Sequence, residues 1–93
     1  MYAKINETLH LPLIDLNEEI FFNEGVKRLN LFFDSSNLDF ETIKPYAIDM
    51  CTIEIYSEDD QLLETYTNYD IDTFINNHYA EEPRSILNFK RIF

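Results

Sequence analysis

Gly25 is the only glycine in this chain of 93 residues. That scarcity limits the fold before any other feature is read. A phosphate-cradling loop and a dinucleotide-binding turn both need several glycines in fixed positions, because the backbone must come close to the ligand or adopt positive φ. Neither can be built here. The one glycine ends Asn23-Glu24-Gly25, which separates two β-prone runs in E-E-I-F-F-N-E-G-V-K-R-L-N-L-F-F, residues 18–33. A short hairpin loop wants a residue with positive φ at such a place. From Val26 the alternation puts Leu29, Leu31 and Phe33 on one face of a strand and Arg28, Asn30 and Phe32 on the other.

The rest of the chain reads as more strand with one short helix. Residues 1–17 alternate weakly and contain Pro12, which suggests an irregular or extended N-terminal arm. In D-S-S-N-L-D-F-E-T-I-K-P, Ser36 or Asn37 can cap a helix and Asp39 and Glu41 suit its first turn. Phe40 and Ile43 share a face, and Pro45 should end the helix near Lys44. C-T-I-E-I-Y-S, residues 51–57, is a strand, with residues 62–69 as its partner across the tip Glu58-Asp59-Asp60. A three-residue loop would pair Ile55 with Leu63 and set Glu54 opposite Glu64. A two- or four-residue loop would pair Glu54 with Thr65 and Ile55 with Glu64. The first is expected, since opposed acids on a wet face cost less than an ionised Glu on the core face. Residues 70–83 form either a helix around residues 72–78 or an extended segment. Ala80-Glu81-Glu82-Pro83 turns into a last strand at 85–92. The expectation is a single α+β domain over residues 1–93: a twisted antiparallel sheet of four to five strands with one short helix on a face. No internal repeat is evident.

Composition supports a folded core. Apolar residues make up 45% of the chain and aromatics 15%, so disorder is not expected despite a net charge of −11. That charge excludes free nucleic acid and an anionic membrane surface as direct partners. It favours a basic protein or ribonucleoprotein surface. The imbalance is local: residues 1–33 carry a net −2, residues 34–82 a net −12, and residues 83–93 a net +3. One cysteine, Cys51, allows no disulfide within the chain and suits a reducing, cytoplasmic setting. No signal peptide or membrane-spanning run is read.

Catalytic and metal chemistry find little footing. His10, His78 and Cys51 are not at zinc-ligand spacing. Asn68-Tyr69-Asp70-Ile71-Asp72 opens like a calcium loop, but Thr73 and Tyr79 stand where that loop needs glycine and glutamate. Cys51 reads as a buried, inert thiol, and nothing positions His78 as a base. No cofactor, metal or enzymatic activity is expected. The acidic hairpin remains. Between Ser57 and Phe74 there are six acids and no base. With Glu54 upstream, the candidate partner-binding set is Glu54, Glu58, Asp59, Asp60, Glu64, Asp70 and Asp72. Tyr56, Tyr66 and Tyr69 are interleaved, a residue type enriched at interface cores. Two acid-bearing strands plus the tip approach the charge density of a nucleic-acid strand, which carries one charge per ~3.4 Å. The set would then occupy a basic groove in place of phosphates. The plainer reading is a solvated strand face that aids solubility. A third makes the chain an assembly protein, with Arg84, Lys90 and Arg91 meeting the acidic face of a neighbouring copy.

The stretch L-N-L-F-F-D-S-S-N-L-D-F-E-T-I-K, followed by I-E-I-Y-S-E-D-D-Q-L-L-E-T-Y-T-N-Y, resembles small acidic proteins carried by bacteriophages and prophages. The shared outline covers roughly residues 29–70: an apolar strand, a short F-E-x-[IL] helix, then an acidic-tipped hairpin ending near a Tyr. Some such proteins are anti-CRISPR inhibitors that block a nucleic-acid groove, and others belong to tail or assembly modules. The resemblance implies a phage origin and an inhibitor role against a host defence complex; a monomer or small homo-oligomer in the cytoplasm of the bacterial host is the accompanying expectation. Anti-CRISPR families share no common motif, so the resemblance assigns no residue a role.

Overall fold

The structure, a computed structural model, describes residues 1–21, 26–34, 39–47, 50–77 and 84–92. Six strands form in chain order: β1 (Tyr2–Ile5), β2 (Leu9–Phe21), β3 (Val26–Asp34), β4 (Cys51–Tyr56), β5 (Leu62–Asn77) and β6 (Arg84–Arg91). One helical turn, α1 (Phe40–Ile43), runs on into a 3-10 turn over Lys44–Ala47. The strands close into a barrel in the order β1-β2-β3-β6-β5-β4, and every neighbouring pair is antiparallel. The expected α+β fold, with an open sheet of four to five strands, is therefore corrected to a closed, nearly all-β barrel. The helix is too short to be a layer. It packs Ile43, 1% exposed, against the core and brings Phe40 within 6.3 Å of the Phe74 ring. Among the described residues no helix is long and apolar enough to cross a membrane.

Closure depends on two long strands that change partners along their length. Residues 9–12 of β2 pair with β1, and residues 13–21 pair with β3. Residues 62–69 of β5 pair with β4, and residues 69–77 pair with β6. Each switch occurs at a bulge, where an extra residue bends the strand and re-aims it. On β2 the extra residue is Ile14, left 54% exposed. On β5 the register shifts between Cys51 and Ile53, beside Asn68, whose φ is 63°. The result is two four-stranded halves, β2-β1-β4-β5 and β2-β3-β6-β5, facing each other across one core.

The core is the inward side of that wrap. Ala3, Ile5, Leu11, Leu29, Leu31, Phe33, Ile53, Ile55, Leu87 and Phe89 are all at most 1% exposed. The apolar face read for residues 26–33 holds: Leu29, Leu31 and Phe33 fill the barrel, and Arg28 and Phe32 are half-buried, whereas Asn30 is buried at 7% and donates from Nδ2 to Asn17 Oδ1 at 2.7 Å. The N-terminal arm, expected to be irregular or extended, is extended and forms β1 and the first part of β2. Pro12 does not break β2, because it sits where the strand leaves β1 and a ladder N–H is not needed.

Three further expectations change. The helix N-cap is Asp39, whose Oδ1 accepts from the Thr42 backbone N–H at 2.9 Å; Ser36 and Asn37 lie outside the described residues. Residues 70–77 are extended, since β5 continues to Asn77. The hairpin register is Glu54 opposite Thr65 and Ile55 opposite Glu64. The loop does have three residues, because the Ser57 N–H donates to Gln61 O at 2.9 Å and Tyr56 pairs with Leu62. A bulge between Ile55 and Tyr56 then moves the register by one. This separates Glu54 from Glu64, and Glu64 incurs no burial cost because it is exposed. The Asn23–Gly25 loop and the turn at residues 80–83 lie outside the described residues, as does His78. The strands flanking Gly25 do pair as a hairpin.

Candidate functional site

The hairpin β4-β5 carries its acids at one end. Glu58, Asp59 and Asp60 form an exposed tip. The Asp60 N–H donates to Ser57 O at 3.1 Å, and the Gln61 N–H donates to Ser57 Oγ at 3.2 Å. Asp60 itself has φ 61°, the left-handed position that a three-residue hairpin loop needs and that Asp tolerates. Glu54 and Tyr56 point outward from β4, because Ile53 and Ile55 point in. The Tyr56 hydroxyl donates to Glu54 Oε2 at 3.0 Å.

β1 completes this face. Its burial alternates, with Ala3 and Ile5 inward and Tyr2 and Lys4 outward. Tyr2 lies directly opposite Tyr56 on β4 and Pro12 on β2. Three rings then stand in a row across three strands. Tyr2 stacks on Tyr56 at 5.1 Å and on His10 at 6.1 Å, with 10° between ring planes in both pairs. The Tyr2 hydroxyl donates to Asp60 Oδ1 at 2.8 Å, tying the tip to the first strand. Lys4 Nζ stands 5.0 Å from the centre of the Tyr56 ring. The phenols of Tyr2 and Tyr56 are both pushed up from their ordinary value. For Tyr2 the first cause is the hydrogen bond to the Asp60 carboxylate, and for Tyr56 it is the bond to Glu54. Ionising either phenol would set a second negative charge beside the carboxylate it serves.

The other members of the candidate set are elsewhere. Glu64 is exposed on the side of β5 that Ile55 shares. Tyr66 is half-buried and Tyr69 is 3% exposed; both point into the barrel and meet edge to face at 5.9 Å. The Tyr69 hydroxyl donates to Glu18 Oε2 at 3.4 Å. Burial first, and then Glu18, push its pKa up to about 12. Asp70 and Asp72 lie on the second half of β5. Asp70 is opposite Lys90, and Asp72, the extra residue of a further bulge, pairs with Arg28 at 3.0 Å. The structure thus brings together Glu54, Tyr56, Glu58, Asp59 and Asp60. It separates from them Glu64, Tyr66, Tyr69, Asp70 and Asp72.

Sequence reasoning missed Tyr2, Lys4, His10 and Pro12 at this face. The available signal was the two-residue alternation Tyr2-Ala3-Lys4-Ile5. Two hollows indent the face. One, of about 580 Å³, is lined by Tyr2, Lys4, His10, Pro12, Tyr56 and Asp60. The other, of about 390 Å³, is lined by Asn6, Glu7, Thr52, Glu54 and Thr65. Among the described residues no three His, Cys, Asp or Glu side chains are grouped as a metal site. Compared with protein-family models, curated proteins and solved structures, the chain finds no match.

Proposed function

We propose that this protein works by binding rather than by catalysis, and that it docks the hairpin end of its barrel onto a basic protein or ribonucleoprotein surface. In that role it would act as a phage-encoded inhibitor does when it occupies a nucleic-acid groove of a host defence complex in the bacterial cytoplasm. One observation carries the reading. Glu58, Asp59 and Asp60 project together from the tip beside Glu54 and Tyr56, and Lys4 is the one Lys or Arg on the strands that flank them. Exposed acids so close repel one another, and no internal ion pair at the tip relieves them among the described contacts. A cationic partner would relieve that repulsion and would be drawn in faster at low salt. The contacting set is accordingly narrower than the full run of acids, since Asp72 pairs with Arg28 of the same chain and Asp70, opposite Lys90 in the ladder, is half-buried.

The test is capture from a bacterial lysate at low ionic strength, followed by a salt gradient and identification of what elutes. A partner released by moderate salt, and lost with Glu58→Lys plus Asp59→Lys, is the expected result. Capture that salt and the double reversal both leave unchanged would refute the reading.

A further inference from the structure

The hollow between β1, β2 and β4 points to a narrower partner chemistry, and this inference rests on the reading under Proposed function. Its lining is mostly rings, with one carboxylate, Asp60, and one ammonium, Lys4. His10, Tyr2 and Tyr56 form the stacked row, Pro12 adds a flat apolar side, and Asp60 stands at the tip end. Glu54 stands behind Tyr56, bonded to its hydroxyl at 3.0 Å. Each of these carboxylates spends one acceptor site on a phenol, at 2.8 Å for Asp60. A carboxylate offers about four such sites, so both keep capacity for a charged donor. The phenols donate to these acids, which leaves the rings richer in electrons and better faces for a cation. Lys4 already demonstrates that preference, holding its ammonium 5.0 Å from the centre of the Tyr56 ring.

We propose that this hollow receives an arginine side chain of the partner. A guanidinium is flat, weakly hydrated and stacks on aromatic faces while its N–H fork reaches carboxylates. An ammonium is compact and strongly hydrated, and it gains less from ring and proline walls. A phosphate or other anion would meet Asp60 in the lining and the exposed acids Glu58 and Asp59 next to it. The volume of about 580 Å³ accommodates the planar group with its alkyl stem. The neighbouring hollow is lined by hydroxyls, an amide, Glu7 and Glu54 without an aromatic ring, and it lacks this selectivity.

The experiment uses the intact protein and three small probes: N-acetyl-arginine amide, its lysine counterpart and its citrulline counterpart. Citrulline keeps the planar shape and removes the charge. Binding is followed by NMR on the aromatic and backbone resonances. The expected result is weak, saturable binding of the arginine probe, with shifts concentrated at Tyr2, His10, Tyr56 and Asp60. Lysine should bind several-fold more weakly and citrulline not measurably. Asp60→Asn should weaken arginine binding about tenfold, the loss of one charge-assisted contact. Asn tolerates the left-handed backbone at residue 60 and still accepts from Tyr2, so an unchanged backbone spectrum confirms that the variant is folded. Equal binding of lysine, equal binding of citrulline, or arginine shifts located elsewhere would each overturn the proposal. If the arginine probe fails while salt-eluted capture persists, the arginine hollow is wrong and the binding function stands. If the probe binds and no partner is captured, the hollow is real and the function is wrong.

Discussion

Tyr69 is the most informative single side chain. It is 3% exposed, its hydroxyl donates to Glu18 Oε2 at 3.4 Å, and its pKa is pushed from 10.0 up to about 12. The neutral phenol is the form that the fold accommodates. The folded value lies above the unfolded one, so its contribution to stability is complete below about pH 10. It is lost as pH rises toward 12, when the buried ring must carry a phenolate beside Glu18. Thermal melts from pH 9 to 12 should therefore show a steep fall in stability in the upper part of that range. Tyr69→Phe should flatten the fall; an unaltered slope would mean that another group controls it. The same residue shows where sequence reading stops. Tyrosine is common at interface cores, and that statistic grouped Tyr66 and Tyr69 with the acids. Whether a strand residue faces in or out depends on the parity of the ladder, and bulges change parity without leaving a mark in composition.

At the scale of the element, β5 is sixteen residues long and has register shifts against both of its neighbours. The shift near Asn68 lets one strand serve two halves of the barrel. Asn68 has φ 63°, its carbonyl accepts from the Ile92 N–H at 2.8 Å, and it stands next to Tyr69, where the strand turns inward. Asn68→Val should cost about 1–3 kcal/mol, because a β-branched residue resists this conformation. Asn68→Gly should cost far less, and urea unfolding of the two variants separates them. Strand positions were largely legible. The alternation of Leu29, Leu31 and Phe33 gave β3 its inner face, and the hairpin across Glu58-Asp59-Asp60 is where it was expected. Residues 1–17 were not legible as strand, because Pro12 and the short β1 weaken the alternation that a closed barrel supplies through its neighbours. With β1 misread, half of the candidate site was invisible, since Tyr2, Lys4 and His10 reach Tyr56 only through cross-strand pairing.

At the scale of the molecule, the barrel consists of two three-stranded meanders, β1-β2-β3 and β4-β5-β6. They meet along β3-β6 and β4-β1, and one connection, containing α1, joins them. No repeat in the sequence announces this, because what the halves share is strand order rather than residues. Each meander alone has two unpaired edges and half of a core, so neither should fold by itself. Co-expressed fragments divided between residues 34 and 39 should reassemble and co-purify with a strand-rich circular dichroism spectrum. Independent folding of either fragment would contradict this. The charge layout follows the same division. Lys27, Arg28, Lys90 and Arg91 lie together on paired stretches of β3 and β6, whereas the uncompensated carboxylates sit at the β4-β5 turn. Such a body is an electric dipole as well as an anion. In the field of a cationic surface it experiences a torque that swings the turn forward before any atoms touch, so collisions begin already aimed.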